Sequence, residues 1–155
     1  MPKISSGLLM YRRLKQSQID VFLVHPGGPF WKNKDDGAWT ITKGEVDPGE
    51  DLLAAAIREF NEETGFTATE PFHSLGEVRQ KSGKRVHAWA FMGEWDPARI
   101  RSNTFEIEWP PKSGRHQQFP EVDRAEFFEL SVARQKILGS ELPFLDRLQG
   151  LVGEK

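Results

Sequence analysis

The 155-residue chain predicts a mixed α/β fold in which helices sandwich a mixed β-sheet. Three observations lead there. β-favouring runs recur along the chain, one amphipathic helical stretch follows a glycine-rich turn, and leucines at helical spacing lie near the end. A chain of this length is expected to form one domain, residues 1–155, with a core of its own.

Each element follows from a local pattern. Ile4 to Leu14 is rich in apolar residues, and Ile19 to His25 is a compact β-favouring run closed by the Pro-Gly-Gly-Pro turn at Pro26 to Pro29. Two strands are expected there. Trp31 to Gly37 reads as an exposed polar loop before a short strand at Ala38 to Ile41. A loop with Pro48 and Gly49 then leads into a helix over Glu50 to Glu63, which Gly65 can end in a left-handed conformation. His73 to Gln80 and Arg85 to Met92 read as strands joined by a hairpin turn around Ser82 and Gly83. In the second, Val86, Ala88, Ala90 and Met92 share one face and His87, Trp89 and Phe91 the other, so the strand is expected inside the sheet. Prolines and glycines break up Glu94 to Arg124. Arg124 to Leu130 predicts a last strand, Ser131 a cap for a helix to Leu138, and Leu145, Leu148 and Leu151 a final helix from Leu142.

The central helix carries the chemistry. With Glu59 at zero and about 100° per residue, Glu62 falls near 300° and Glu63 near 40°, while Leu53, Ile57, Phe60 and Thr64 lie between roughly 100° and 160°. One arc packs and another holds charge. Glutamates three and four apart repel by roughly 0.2–0.5 kcal/mol per pair on an isolated helix, and a divalent cation gives their grouping a reason. Magnesium takes hard oxygen ligands and is shared between a few carboxylates and substrate phosphates. The competing reading is a solvated acidic face paired with lysines elsewhere.

Gly44, Glu50, Arg58, Glu59, Phe60, Glu62, Glu63, Gly65 and Phe66 meet every defining position of G-x5-E-x7-R-E-U-x-E-E-x-G-U, where U is bulky and apolar. The chain therefore resembles the Nudix hydrolases. That resemblance implies an α/β/α sandwich with a mixed sheet, and an enzyme acting on phosphorus-containing acid anhydrides. It implies Mg²⁺, with Mn²⁺ as a substitute, held by Glu59, Glu62, Glu63 and the Gly44 carbonyl. Glu59 and Glu62 would also orient or deprotonate water, a division that spacing leaves open. Arg58, near 260°, would orient a glutamate, and Glu50 would either pair with it or stabilise the helix start. The Phe-Pro-Glu-Val-Asp-Arg-Ala-Glu-Phe-Phe segment resembles one in members that cleave dinucleoside polyphosphates or capped RNA ends. It points to Glu121 as an additional metal ligand or base, with Glu106 and Glu108 as rivals.

Phosphates beyond the metal need donors. Lys43, beside the expected metal loop, and Arg79, Lys81 and Lys84 near the hairpin are the candidates, with Arg85 clustered beside them. Trp31, Trp39, Trp109 and Phe119 could offer a nucleobase an aromatic platform, Trp109 foremost as a binding residue and Trp39 as core. The tyrosine and proline that mark some substrate classes downstream of the box are replaced here by Ser82 and Gln80. The expected substrate is a small nucleotide-type molecule, a dinucleoside polyphosphate by preference. A triphosphate from the nucleotide pool and a silent nucleotide sensor are the alternatives.

Composition sets the outer bounds. A formal net charge of −2 gives no basic surface for duplex nucleic acid. Without cysteine there is neither disulfide nor thiolate metal site, which fits a cytoplasmic setting. The amino terminus lacks the apolar run of a signal peptide, and no stretch of about 18 apolar residues occurs, so no membrane partner is expected. His25, His73, His87 and His116 are scattered without the spacing of a zinc site. A homodimer is compatible with the resemblance.

Overall fold

Side chains alternate along the strands, and that alternation builds a core on each face of a mixed sheet. The computed structural model of the chain describes residues 3–14 and 18–152. In order, the elements are β1 (Ile4–Arg13), β2 (Ile19–Pro26), β3 (Thr42–Glu45), α1 (Leu52–Thr64), β4 (His73–Arg79), β5 (Arg85–Met92), β6 (Thr104–Glu108), β7 (His116–Pro120), β8 (Val122–Glu129), α2 (Leu130–Lys136) and α3 (Leu142–Val152). The main sheet runs β4-β5-β1-β2-β8, with β3 also on β1. β5 lies parallel to β1 and inside the sheet, as the double-sided pattern predicts. The other edge of β1 is divided: Ser5 to Leu8 face β3, and Tyr11 to Arg13 face β2.

Leu9, Tyr11, Val21, Leu23, Ala88 and Ala90 point to the face covered by Ala133 of α2 and Phe144, Leu145 and Leu148 of α3. Leu8, Met10, Phe22, Val24 and Phe91 point to the other, under Ala56 and Phe60 of α1. This is the expected sandwich. Among the described residues, no helix is long and apolar enough to cross a membrane.

Several boundaries differ from expectation for identifiable reasons. The strand placed at Ala38 to Ile41 is reduced to single bridges at Trp39 and Thr40, because the Ile41 N–H is taken by the Glu141 carboxylate at 3.0 Å. The true strand is Thr42–Glu45, admitted against β1 because Gly7 has no Cβ to strike the Thr42 carbonyl. Helix α1 starts at Leu52, not Glu50: the Asp51 carboxylate accepts the Ala54 N–H at 3.0 Å and caps it. Gly65 does end it, at φ 80°. Met92 is half exposed rather than buried, since β4 reaches only as far as Ala90 along its neighbour. Ser131 lies inside α2, where Glu129 holds the cap position without a side-chain bond. Leu151 faces solvent, and Phe144 takes the buried place instead.

The broken-up region, Glu94 to Arg124, is an arm. β6 and β7 pair only with each other, and β8 begins at Val122 rather than Arg124. The arm's base is fastened to the body: the Asn103 N–H donates to the Glu62 carbonyl at 2.9 Å, the Glu121 N–H to Asn103 at 2.8 Å, and the Gly27 N–H to Glu121 at 2.9 Å.

Candidate active site

β3 sets Gly44 over α1 so closely that any Cβ there would overlap the Glu59 carboxylate. Glycine at this position is thus demanded by the approach of a strand to a charged side chain. Between them opens a cleft of about 320 Å³ that brings together Gly44, Glu59, Glu62, Glu63 and Glu121, along with Glu45, Asp47, Asn103, Arg58 and Lys43. Acids dominate it. Such a space lies at the small end of ligand sites.

Arg58 is enclosed by carboxylates. Its Nε and Nη2 donate to Glu50 at 2.9 and 3.0 Å, a bidentate pair, while Nη1 donates to Glu59 at 2.7 Å and Glu62 at 3.3 Å. Nη2 also reaches the Glu45 carbonyl at 3.2 Å. Glu50 is held down to about 2 by the Arg58 bonds and the Asp47 N–H. With every direction of its fork used, Arg58 orders the acids rather than offering a free cation.

Glu63 is buried on α1, its Oε1 3.4 Å from the Lys43 N–H. Burial, reinforced by the Glu59 charge, pushes its carboxyl up to about 9 against the opposing pull of Lys43. Glu121 is raised too, by partial burial and then by Glu59 and Glu62. Two carboxyls held toward the protonated form by burial first and by neighbouring carboxylates second mark a place short of positive charge. Hard oxygen donors in that setting suit Mg²⁺ or Mn²⁺. Among the described residues, no three such groups form a closed cation cage: Glu59 and Glu62 lean on Arg58, and Glu63 on the Lys43 amide.

The rival acids lie elsewhere. Glu106 faces His116 at 3.8 Å, and Glu108 accepts the Lys112 and Gly114 N–H groups at 3.3 and 3.0 Å at the tip of the arm. Of the phosphate candidates, Arg79, Lys81 and Lys84 sit at or beside the β4–β5 turn and do not line the cleft. Lys43 lines it, but its ammonium turns away to Glu141 Oε2 at 2.8 Å. Trp109 is absent from the cleft. It borders a second cavity of about 540 Å³ with Phe119, Pro29, Lys32, Gln117 and Asp123, and meets the exposed ring of Phe30 edge-on at 5.4 Å. The two cavities flank one short segment, since Pro120 and Asp123 line the second and Glu121 the first. Trp39 is core, as expected, and His25 is buried between Asp123 at 2.8 Å and the Lys34 carbonyl at 2.7 Å.

Sequence reasoning missed Asn103, Glu45, Asp47 and Glu141. Glu45 and Asp47 were readable as further acids beside Gly44. Asn103 and Glu141 carry no local signal, because only the folding of the arm brings Asn103 into the cleft and only that of the α2–α3 junction brings Glu141 behind it, against Thr40, Ile41 and Lys43.

Known proteins resemble this chain in both sequence and fold. It is 41% identical over 63 residues to asymmetrical bis(5'-nucleosyl)-tetraphosphatase of Caenorhabditis elegans, 41% of each chain. Over 124 residues it is 30% identical to RNA pyrophosphohydrolase of Rhizobium meliloti, covering 70% of this chain and 66% of the relative. The matched stretch thus spans well under half of the nematode relative's length. A crystal structure of a C. elegans Ap4A hydrolase binary complex shares the fold with a TM-score of 0.67, covering 97% of this chain and 99% of that one at 24% identity. The model of the NUDIX domain matches residues 1–148, and the chain belongs to the NUDIX domain family.

Proposed function

We propose that this chain is a divalent-cation-dependent pyrophosphohydrolase that cleaves within the phosphate chain of a dinucleoside polyphosphate. The observation that carries the reading is the meeting of Glu59, Glu62, Glu63 and Glu121 beneath Gly44, with Glu63 and Glu121 raised by burial and their acidic neighbours. These side chains and the Gly44 carbonyl would hold Mg²⁺ or Mn²⁺. Once bound, the cation neutralises phosphate charge and makes water a stronger nucleophile. Arg58 fixes the Glu59 and Glu62 carboxylates, and either of those, or Glu121, takes the proton of the attacking water. Among the described residues, Glu121 forms no ion pair, and the cleft's cations Arg58 and Lys43 are paired with other carboxylates, which leaves it available for that work.

Substrate choice rests on the second cavity. Trp109 and Phe119 present aromatic faces next to the segment that carries Glu121, at a place where a base attached to the reacting phosphates could stack. The nematode relative's name and the resemblance of the Glu121 segment support the same substrate class. Release of phosphate or nucleotide, measured with Mg²⁺ or Mn²⁺ across dinucleoside polyphosphates, nucleotide sugars, ADP-ribose and triphosphates, tests the proposal. Dinucleoside polyphosphates should turn over fastest, with Glu62→Gln slower by several orders of magnitude. A preference for triphosphates would point to a pool-cleaning enzyme. Nucleotide binding without turnover would make the chain a sensor.

A further inference from the structure

Glu141 is a fully buried carboxylate far from the acids of α1 in sequence, and its partners all belong to the segment that leads into Gly44. It lies in a short 3-10 turn, Gly139–Glu141, just ahead of α3. Its Oε1 accepts the Ile41 N–H at 3.0 Å, and both oxygens lie within 2.9 Å of the Thr40 hydroxyl. Its Oε2 meets the Lys43 ammonium at 2.8 Å. That ammonium also donates to Thr40 Oγ1 at 2.6 Å. Three successive parts of one short segment are thus held from behind by a single side chain. Because neighbouring residues of a strand point to opposite faces, fixing Lys43 toward Glu141 fixes Gly44 toward Glu59.

The same contacts settle where the Lys43 charge sits. Its side chain is 17% exposed and that of Glu141 not at all, so the ammonium occupies the back of β3 while its own N–H faces Glu63. Backbone bonds tie the same region to the α2–α3 junction, with the Trp39 N–H donating to Lys136 at 3.0 Å and the Leu138 N–H to Trp39 at 2.7 Å.

We propose that Glu141 is a positioning residue for the acid cleft: it sets Gly44 and the Lys43 amide against Glu59 and Glu63, and it keeps the Lys43 ammonium off the substrate. This rests on the reading of the cleft as a cation-dependent site, and Mn²⁺ binding separates the two. Mn²⁺ affinity of the full chain is measured without substrate by electron paramagnetic resonance, and kcat and KM are measured with diadenosine tetraphosphate. Glu141→Gln should weaken Mn²⁺ binding and lower kcat by about tenfold or more, as loss of an outer partner of a metal site does, with KM little changed. Lys43→Met should do the same, and the double variant should lose little beyond either single one, because both changes break one pair. If Glu141→Gln does not fold, Thr40→Val removes the shared hydroxyl while leaving both charges, and should weaken Mn²⁺ binding in the same direction.

Weakened Mn²⁺ binding in a chain that hydrolyses nothing would defeat the hydrolase reading and leave this one standing. Lys43→Met with intact kcat and a KM raised about tenfold would make Lys43 a phosphate ligand and overturn the proposal. So would a lower melting temperature in Glu141→Gln with Mn²⁺ affinity and kcat unchanged, or wild-type Mn²⁺ affinity in Thr40→Val.

Discussion

Replacing Gly44 with alanine is a local test of how tightly the cleft is built. A Cβ at this position overlaps the carboxyl carbon and both oxygens of Glu59. An ordinary separation is about 3.5 Å, so the carboxylate must retreat by about 1 Å or more, pulling against its 2.7 Å bond to Arg58. The obstructing group is the far end of a flexible side chain. Gly44 lies in β3 opposite Ser6, outside the left-handed region, so alanine suits its backbone. Folding should therefore survive, with a melting temperature within about 4 °C of the parent. Catalysis should not, since a displacement of about 1 Å at a reacting centre can cost about 100-fold. The assay is kcat/KM for a dinucleoside polyphosphate with Mg²⁺, alongside thermal unfolding. Glu59→Asp withdraws the carboxylate by about one bond, roughly 1.5 Å, so the double variant should lose much less than the product of the single losses. A fully active Gly44→Ala chain would refute the reasoning, as would a loss of activity matched by a large loss of stability.

Two further outcomes follow from the acids. Glu121→Gln should impair turnover much more than Asp123→Asn. Asp123→Asn should instead lower the melting temperature, because Asp123 pairs with the buried His25 at 2.8 Å; equal, mild kinetic effects would remove Glu121 from the chemistry. Glu63, raised from 4.5 to about 9, makes the folded chain hold a proton that the unfolded chain releases. Its burial is thus free of penalty below about pH 4.5, and without a cation the chain loses stability as pH rises from there to about 9. Near pH 7.5, ionising Glu63 costs about 2 kcal/mol, which a bound cation must offset. Cation binding should release close to one proton and tighten about tenfold per pH unit below about pH 9. Calorimetry in buffers of different ionisation enthalpy reads that proton, and its absence would take Glu63 out of the ligand set.

What the sequence revealed and what it hid divide along physical lines. The acids of α1 were legible because helical periodicity is local: Leu53, Ile57 and Phe60 had to face the core, which left Glu59, Glu62 and Glu63 no other side. Gly65 was equally legible, as a residue fit for a left-handed helix end. The strand before α1 was misplaced because Trp39 and Ile41 look like strand residues while their neighbourhood is set by Glu141 and by α2. No window of sequence contains that information. The choice among Glu121, Glu106 and Glu108 likewise depended on how the β6–β7 arm folds back. Its base delivers Glu121 to the cleft, while its length carries Glu106 and Glu108 away. Lys43 was expected to meet phosphate from its place beside Gly44, yet strand alternation turned its ammonium to the opposite face.

The most direct measurement is anomalous scattering from crystals soaked with Mn²⁺ and a non-hydrolysable dinucleoside polyphosphate. The account predicts a Mn²⁺ peak in the cleft between Gly44 and Glu59, Glu62 and Glu63, with substrate phosphate oxygens beside it and a base against Trp109 or Phe119. Ordered nucleotide with no Mn²⁺ at those carboxylates would contradict it.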